Sequence, residues 1–404
     1  MNILFVHEID WLRKVVFEIH TLSELLSRRG HRVYAIDYES MWARDGAFDF
    51  GSLKTKVVEK VARSYPDAAV TLIRPGFIKV PGLSRLTAAC THRGVIRRTI
   101  KEKAIDVIIL YSIPTNGLQT IGAARGPGVP VVFRSIDILH ELVSNSLLSR
   151  LTLWLEKKIY SRVDLVLTIS PRLSRYVTEK GAPPERVRLL PLGVDTDLFR
   201  PGTEDAGLRR QWGLGEGPVV EFIGTLFDFS GLDDFIRRFP EVLKRVPEAR
   251  LLIVGDGPQR PRLEKEIAAA GLGGRVVITG FQPFEAMPRY INLAAVCINT
   301  FRLTEATRDI FPTKIVQYLA CGRPVVATPL PGMQSIVAGE GQGVVYAGAE
   351  DMEARVADLL ESAEKRRELG RAAREYARQT HGYDGIVKEL EAVLAELAGR
   401  GKAI

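Results

Sequence analysis

Cysteine is scarce in this chain: Cys90, Cys297 and Cys321 are the three among 404 residues. They are too widely spaced for a disulfide framework or a CxxC metal site, and read as small buried hydrophobes of a reduced compartment. No apolar run approaches 18 residues, so no bilayer-crossing helix is expected. The opening, MNILFVHEIDW, lacks the basic start and small-residue cleavage site of a secretory signal. The basic residues are not interleaved with an aromatic platform, and no nucleic-acid partner is expected.

What is present is length, apolar content and an uneven charge. A chain of 404 residues exceeds what one core usually sustains, and its 46% apolar content supports two. Residues 1–200 carry 30 Lys and Arg against 20 Asp and Glu, and the remainder 26 against 28. The first half therefore favours an anionic partner, a phosphorylated acceptor or an acidic lipid surface, or else carries a solvated basic face. Arg13, Lys14, Arg85, Arg93, Arg97, Arg98, Lys101 and Lys103 make up much of that surface, several recurring at helical intervals between Leu83 and Ile105.

The first half alternates strand and helix. Asn2–Val6 reads as a strand, Leu12 to Ser27 as a helix ended by Gly30, and Val33–Ile36 as the next strand. Further strands are expected at Ala69–Ile73, Val107–Leu110, Val129–Phe133 and Leu165–Ile169, whereas Asp37–Pro66 yields no clear elements. A second series follows Pro201. Its strands are Val219–Ile223, Arg250–Val254, Val276–Thr279, Ala295–Ile298 and Val325–Ala327; its helices are Leu232–Val246, Pro261–Ala270 and Phe311–Ala320. This alternation predicts an α/β protein of two Rossmann-like domains, with an eight-fold barrel as the alternative. The expected division is residues 1–190, a linker at 191–200, a second domain at 201–380 and a C-terminal helix over 381–404, which packs on its own domain or crosses back to the first.

Ligands of open α/β sheets gather beyond the carboxyl ends of the strands. Gly224-Thr225, Gly255-Asp256-Gly257 and Gly280-Phe281 each follow a strand of the second series, where glycine permits close backbone approach. The stretch from Asp309 to Ala327 adds Phe311, Pro312 and Thr313 at a helix start suited to a phosphate. Lys314 supplies a cation there or is a solvated helix residue; Gln317 bonds ribose hydroxyls or makes a tertiary amide contact.

That stretch resembles the donor-site signature of retaining glycosyltransferase family 4, together with Gly30-His31-Arg32-Val33, Leu192-Gly193-Val194-Asp195 and Val254-Gly255-Asp256-Gly257-Pro258. The resemblance runs over most of the chain. It implies the GT-B architecture, two Rossmann-like domains facing each other across a cleft, and cytoplasmic transfer of a sugar from a UDP- or GDP-linked donor with retained configuration. No metal or other obligatory cofactor is implied. The implied acceptor is a lipid-linked, envelope-glycan or other small molecule, with peripheral attachment to the inner face of the plasma membrane as a further expectation.

The family signature is altered at several places. Two glutamates separated by seven residues become Asp309 and Gln317, and a customary arginine and lysine after the first glycine become Thr225 and Ser230. On the acceptor side, a glycine-rich turn is replaced by His7–Lys14, where Asp10 or Trp11 meets an acceptor, or the loop is simply charged with Trp11 buried beside it. A customary His-Asp pair leaves Asp137 with Ile136 before it, so His140 is a shifted candidate beside Arg134. Asp309, Lys314 and Asp137 are the candidate catalytic residues. The alternative function is a nucleotide-sugar-binding regulatory or scaffold protein that has lost catalysis.

Overall fold

The computed structural model describes residues 1–14, 16–39, 49–80, 83–143 and 145–401. Part of the unassigned stretch after Asp37, residues 40–48, lies outside them, as do residues 402–404 of the segment expected from the sequence to be the C-terminal helix. The chain forms two compact units, Met1–Pro191 with Ile386–Ile404, and Leu192–Gly385.

The first unit contains β1 (Asn2–Val6), α1 (Glu18–Arg28), β2 (Arg32–Ile36), β3 (Lys56–Val61), β4 (Val70–Arg74), α2 (Ser84–Glu102), β5 (Val107–Leu110), α3 (Gly117–Arg125), β6 (Val131–Ser135), α4 (Ser146–Tyr160), β7 (Leu165–Thr168), α5 (Pro171–Glu179) and β8 (Val187–Leu189). Its sheet runs β3-β4-β2-β1-β5-β6-β7-β8, parallel except for the antiparallel β3–β4 edge. Ile3, Leu4, Phe5 and Val6 are all fully buried, as a parallel strand covered on both faces requires.

Two departures from the expected elements have local causes. Helix α1 begins at Glu18 rather than Leu12. The Asp10 carboxylate accepts the Leu12 and Arg13 amides at 3.3 and 3.2 Å, holding a turn where the apolar spacing suggests helix. Strand β3, Lys56-Val57-Val58-Glu59-Lys60-Val61, is an exposed and charged edge with a register shift between Val58 and Val61. Edge strands of this kind carry little apolar pattern to read.

The second unit contains α6 (Ala206–Gln211), β9 (Val219–Ile223), α7 (Leu232–Arg245), β10 (Arg250–Val254), α8 (Arg260–Ala269), β11 (Val276–Ile278), α9 (Met287–Ile291), β12 (Val296–Asn299), α10 (Lys314–Ala320), β13 (Val325–Ala327), α11 (Pro331–Gln334), β14 (Val344–Tyr346), α12 (Met352–Glu361) and α13 (Ala363–Tyr376). The sheet is parallel in the order β11-β10-β9-β12-β13-β14. One core joins Val220, Phe222, Leu251 and Ile253 of the sheet to Phe235, Ile236 and Phe239 of α7 and Val356 and Leu359 of α12. Helix α14 (Tyr383–Gly401) follows, and from Ile386 its residues belong to the first unit. There Glu391 pairs with Arg29 at 2.6 Å and His31 at 2.8 Å, and Glu396 with Arg188 at 2.8 Å. No helix among the described residues is long and apolar enough to cross a membrane.

Both units bury charge. In the first, Arg134 pairs with Glu18 and donates to the Leu190 and Pro191 carbonyls at 2.6 and 3.2 Å, while the Tyr111 hydroxyl donates to Glu18 at 3.2 Å. Arg134→Met would leave the Glu18 carboxylate buried beside a neutral group. We expect a loss of about 3–5 kcal/mol in the urea unfolding of this unit, partly recovered by Glu18→Gln in the same chain. In the second unit, burial raises the Glu221 carboxyl pKa to about 8, against the opposing charge of Arg323 and a bond from Cys297 Sγ. Between the unfolded value near 4.5 and about 8, the native state therefore holds a proton that the unfolded chain has released. Stability from this group is complete below the lower value and falls as pH rises through that window. Thermal midpoints of Glu221→Gln across pH 5–8 should lack that decline; an unchanged pH profile would refute it.

Candidate functional site

The loops beyond β9, β10 and β11 are built on glycine backbone contacts. Gly224 N–H donates to the Val254 carbonyl at 3.0 Å, and Gly255 bridges to Gly280. A Cβ on Gly255, whose φ is 149°, would lie 2.0 Å from the Gly224 carbonyl oxygen. A Cβ on Gly257 would lie 2.7 Å from the Leu226 backbone. A bulky side chain at Gly255 therefore meets the protein's own backbone first. Substitution there disturbs the loop itself as well as any surface it offers a ligand.

Lys314 is the most unusual side chain at this sheet edge. It opens α10, three residues later than the Phe311 start read from the sequence. Pro312 precedes the helix, and Thr313 at the cap position makes no side-chain capping bond. Lys314 is buried, its Nζ 3.5 Å from the ring centre of Phe222 and 4.4 Å from that of Phe301. That ammonium has no hydrogen-bond partner among the described residues. Desolvation holds its pKa well below the ordinary lysine range. The reading of Lys314 as a solvated helix residue is thereby overturned. A Cβ on Gly224 would lie 3.8 Å from this nitrogen, so the cation stands beside the first glycine loop.

The neighbouring candidates fall into two groups. Thr225, Phe281 and Thr313 are exposed, and the half-buried Gln317 amide makes no hydrogen bond among the described residues. Ser230 is buried and its carbonyl accepts from Thr300 Oγ1 at 2.6 Å. Phe311 is buried against His381, with ring centres 6.1 Å apart. Half-buried Asp309 is fixed by its backbone, against which Gly332 packs so closely that a Cβ there would lie 2.4 Å from the Asp309 carbonyl oxygen. Sequence reasoning missed Asn299 at the end of β12, whose side-chain amide is buried with neither polar atom partnered. An asparagine at the carboxyl end of an otherwise apolar strand was the available signal.

In the first unit, burial changes the expected set. Trp11 is fully buried, its ring 4.7 Å from that of His20 and its backbone amide donating to Asp37. Asp10 is held by Arg74 at 2.8 Å, and Arg134 by Glu18. Trp11 and Arg134 thus present no surface to an acceptor, because both fill the core. Asp137 is exposed, yet the surrounding protein raises its carboxyl pKa by desolvation and, less strongly, through the Glu18 charge. His140 is half-buried with Nδ1 bonded to Glu156 at 2.9 Å and to the Tyr176 hydroxyl at 3.0 Å. A carboxylate on Nδ1 fixes the ring and leaves Nε2 as its outward nitrogen.

A group of exposed apolar residues lies on α4, while the basic α2 carries exposed Leu86 near its start. Leu147, Leu148, Leu151 and Trp154 are each more than half exposed and spaced to share a face. Lys157 is exposed on the same helix, and Lys158 lies 5.8 Å from the Trp154 ring centre. On α2, Arg93, Arg97, Arg98 and Lys101 are exposed, whereas Arg85 is paired with Glu8. Among the described residues no three His, Cys, Asp or Glu side chains gather as metal ligands would.

With this geometry in place, known proteins sharpen the identity. Residues 217–362 match the family model of glycosyl transferases group 1, and residues 17–193 that of the glycosyl transferase 4-like domain. A GDP-mannose-dependent alpha-(1-6)-phosphatidylinositol monomannoside mannosyltransferase of Mycolicibacterium smegmatis is 35% identical over 229 residues, 55% of this chain and 59% of that protein. The alpha-D-kanosaminyltransferase of Streptomyces kanamyceticus is 29% identical, covering 54% and 57%. The chain thus spans rather more than half the length of these relatives. In three dimensions it is similar to sucrose-phosphate synthase from Thermosynechococcus elongatus, with a TM-score of 0.73, 19% identity and 99% of each chain covered. Anabaena HepE, solved with UDP-glucose, gives 0.73 at 19% identity over 98% of this chain and 100% of that one. Two matched regions on two Rossmann-like parallel-sheet units place the chain in glycosyltransferase family 4, with the GT-B fold.

Proposed function

We propose that the protein is a retaining glycosyltransferase that moves a sugar from a nucleotide-sugar to a lipid-linked acceptor. The carrying observation is the buried Lys314 ammonium beside Gly224, without a hydrogen-bond partner among the described residues. A cation left in an apolar site is unfavourable until an anion arrives, and a donor diphosphate is such an anion. Lys314 then substitutes for the two cations that the first loop lacks at Thr225 and Ser230. Asp309 orients the sugar hydroxyls and Gln317 the ribose. The anomeric bond to the diphosphate breaks while the acceptor oxygen bonds on the same face, and the acceptor proton passes to the departing phosphate oxygen. No glycosidase-like pair of carboxylates is needed for that course. Asp137 and His140 are the acceptor-side candidates retained.

The lipid-linked acceptor is supported by the mycobacterial relative's phosphatidylinositol monomannoside and by the surface of the first unit. An exposed Leu-Leu-Leu-Trp face on α4 beside Lys157 and Lys158 suits the boundary of an anionic bilayer. The α2 basic residues add long-range attraction. Leu151→Glu with Trp154→Glu should abolish most co-sedimentation with anionic vesicles while leaving transfer to a soluble acceptor intact. Neutralising the α2 residues should lower sedimentation mainly at low salt. Undiminished sedimentation of the α4 variant would remove that helix from the account.

The function is tested by mixing the purified chain with UDP- and GDP-sugars and candidate acceptors, and measuring acceptor-dependent nucleotide release. Donor binding without transfer would favour the regulatory reading. Lys314→Met makes the site assignment sharper, because two opposite effects are expected. Removing an unpartnered buried amine should stabilise the fold by about 1–3 kcal/mol, while donor binding weakens by a similar amount. Donor binding by the wild type should raise the Lys314 pKa, because the diphosphate favours the charge that desolvation disfavours. Calorimetry in buffers of different ionisation enthalpy, repeated across pH, reads the linked proton uptake, and Lys314→Met should lack it. Asp309→Asn should instead lower turnover by about 1–4 kcal/mol of transition-state stabilisation with little change in donor affinity. Wild-type donor binding and kinetics in both folded variants would defeat the assignment.

A further inference from the structure

A cavity of about 800 Å³ opens at the amino-terminal edge of the second unit's sheet, where Ala294 and Ala295 lead into β12 and Pro324 into β13. This is the edge opposite the glycine loops. Five arginines line it: Arg323, Arg366, Arg367, Arg371 and Arg374. Among the described residues none of them has a carboxylate within ion-pair distance. The contrast within the unit is sharp, since Arg237, Arg245, Arg260, Arg289 and Arg302 all form ion pairs.

Three of the five are positioned by neutral acceptors. Arg323 donates to the Asn292 carbonyl at 2.9 Å and to its side-chain oxygen at 3.0 Å, while its own buried Nε has no acceptor. Arg366 donates to the Leu359 and Leu360 carbonyls at the end of α12. Arg374 donates to the carbonyls of Phe199 at 2.8 Å, Ala320 at 2.7 Å and Thr196 at 2.9 Å. Arg367 and Arg371 are exposed, one helical turn apart on α13, and make no bond among the described residues. Two carboxylates share the cavity wall, but Glu204 pairs with Arg209 at 2.7 Å and Glu375 accepts from the Gln379 amide. Glu221, whose charge would act on Arg323, keeps its proton to about pH 8. Desolvation and then like charge hold the Arg366 and Arg374 guanidiniums below their ordinary pKa, Arg367 crowding the first and Arg378 the second.

We propose that this cavity binds a phosphate-bearing small molecule, at a site separate from the donor residues. Planar guanidiniums recognise phosphate by paired N–H donation, and its charge would satisfy a cluster that the protein itself leaves uncompensated. The volume accommodates more than bare phosphate, in the range of small-ligand pockets. This inference does not rest on the glycosyl-transfer reading.

The test titrates inorganic phosphate into the full chain by calorimetry, in the wild type and in Lys314→Met to remove the donor-side cation. Saturable binding is expected in both. Adding Arg367→Gln and Arg371→Gln, two exposed side chains with no structural bonds, should weaken it about tenfold or more with circular dichroism unchanged. Vesicles containing phosphatidic acid distinguish the source of the phosphate. Sedimentation that falls in the double arginine variant assigns a lipid headgroup to the cavity, and sedimentation that does not assigns a soluble ligand. The proposal is overturned if the wild type shows no saturable binding at millimolar phosphate. It is equally overturned if binding survives the double variant, or disappears with Lys314→Met alone.

Discussion

Parallel strands cannot be joined by a tight turn, and that constraint organises each unit of this protein. Every crossover must leave a strand at its carboxyl end and return at its amino end, so loops of one kind collect along one sheet edge. In the second unit these are the loops after β9, β10 and β11, which then compete for the same space. Glycine resolves the competition. At Gly255 and Gly257 a Cβ would come within 2.0 and 2.7 Å of the adjoining loop's backbone. Their absent side chains first allow the loops to pack on each other, and only through that packing shape a surface for a ligand.

Lys314 depends on the same arrangement. Its stem enters the core from α10 and its nitrogen ends between the faces of Phe222 and Phe301. Aromatic faces attract a cation, but they replace only part of the hydration lost on burial. A methionine would fill the space with less penalty, so the amine persists at a cost in stability. Such an uncompensated group is a common mark of a functional site, where local stability is sacrificed to prepare for a charge that the protein does not contain.

The strands of the fold were legible because parallel, doubly covered strands leave apolar runs: Val219–Ile223 and Arg250–Val254 follow directly from the residues. Elements governed by polar detail were less visible. The Asp10 turn delays α1, and charged β3 carries no alternating pattern. For the site, spacing located Lys314 and the glycines but could not tell burial from exposure. Trp11 and Arg134 have the chemistry of surface ligands and the surroundings of core residues. Arg134 is soluble inside the protein only because Glu18, distant in sequence, meets it there. That partnership belongs to tertiary structure, and no local motif announces it.

Charge shows the same limit more sharply. By composition the first 200 residues hold the positive excess, while the remainder is slightly negative. Yet five arginines without carboxylate partners among the described residues gather in the second unit, around the cavity beside α13. Net charge sums ions that cancel in pairs with ions that do not. Arg237, Arg245 and Arg302 contribute little field at a distance because carboxylates lie within 4 Å of each. Arg367 and Arg371 have no such neighbour among the described residues, and the carbonyls holding Arg323, Arg366 and Arg374 fix their guanidinium planes without removing a charge. An anion therefore responds to the arrangement of compensation rather than to the sum. A nearly neutral unit can hold a strong local demand for negative charge, and the orientation imposed by those neutral bonds gives that demand its geometry.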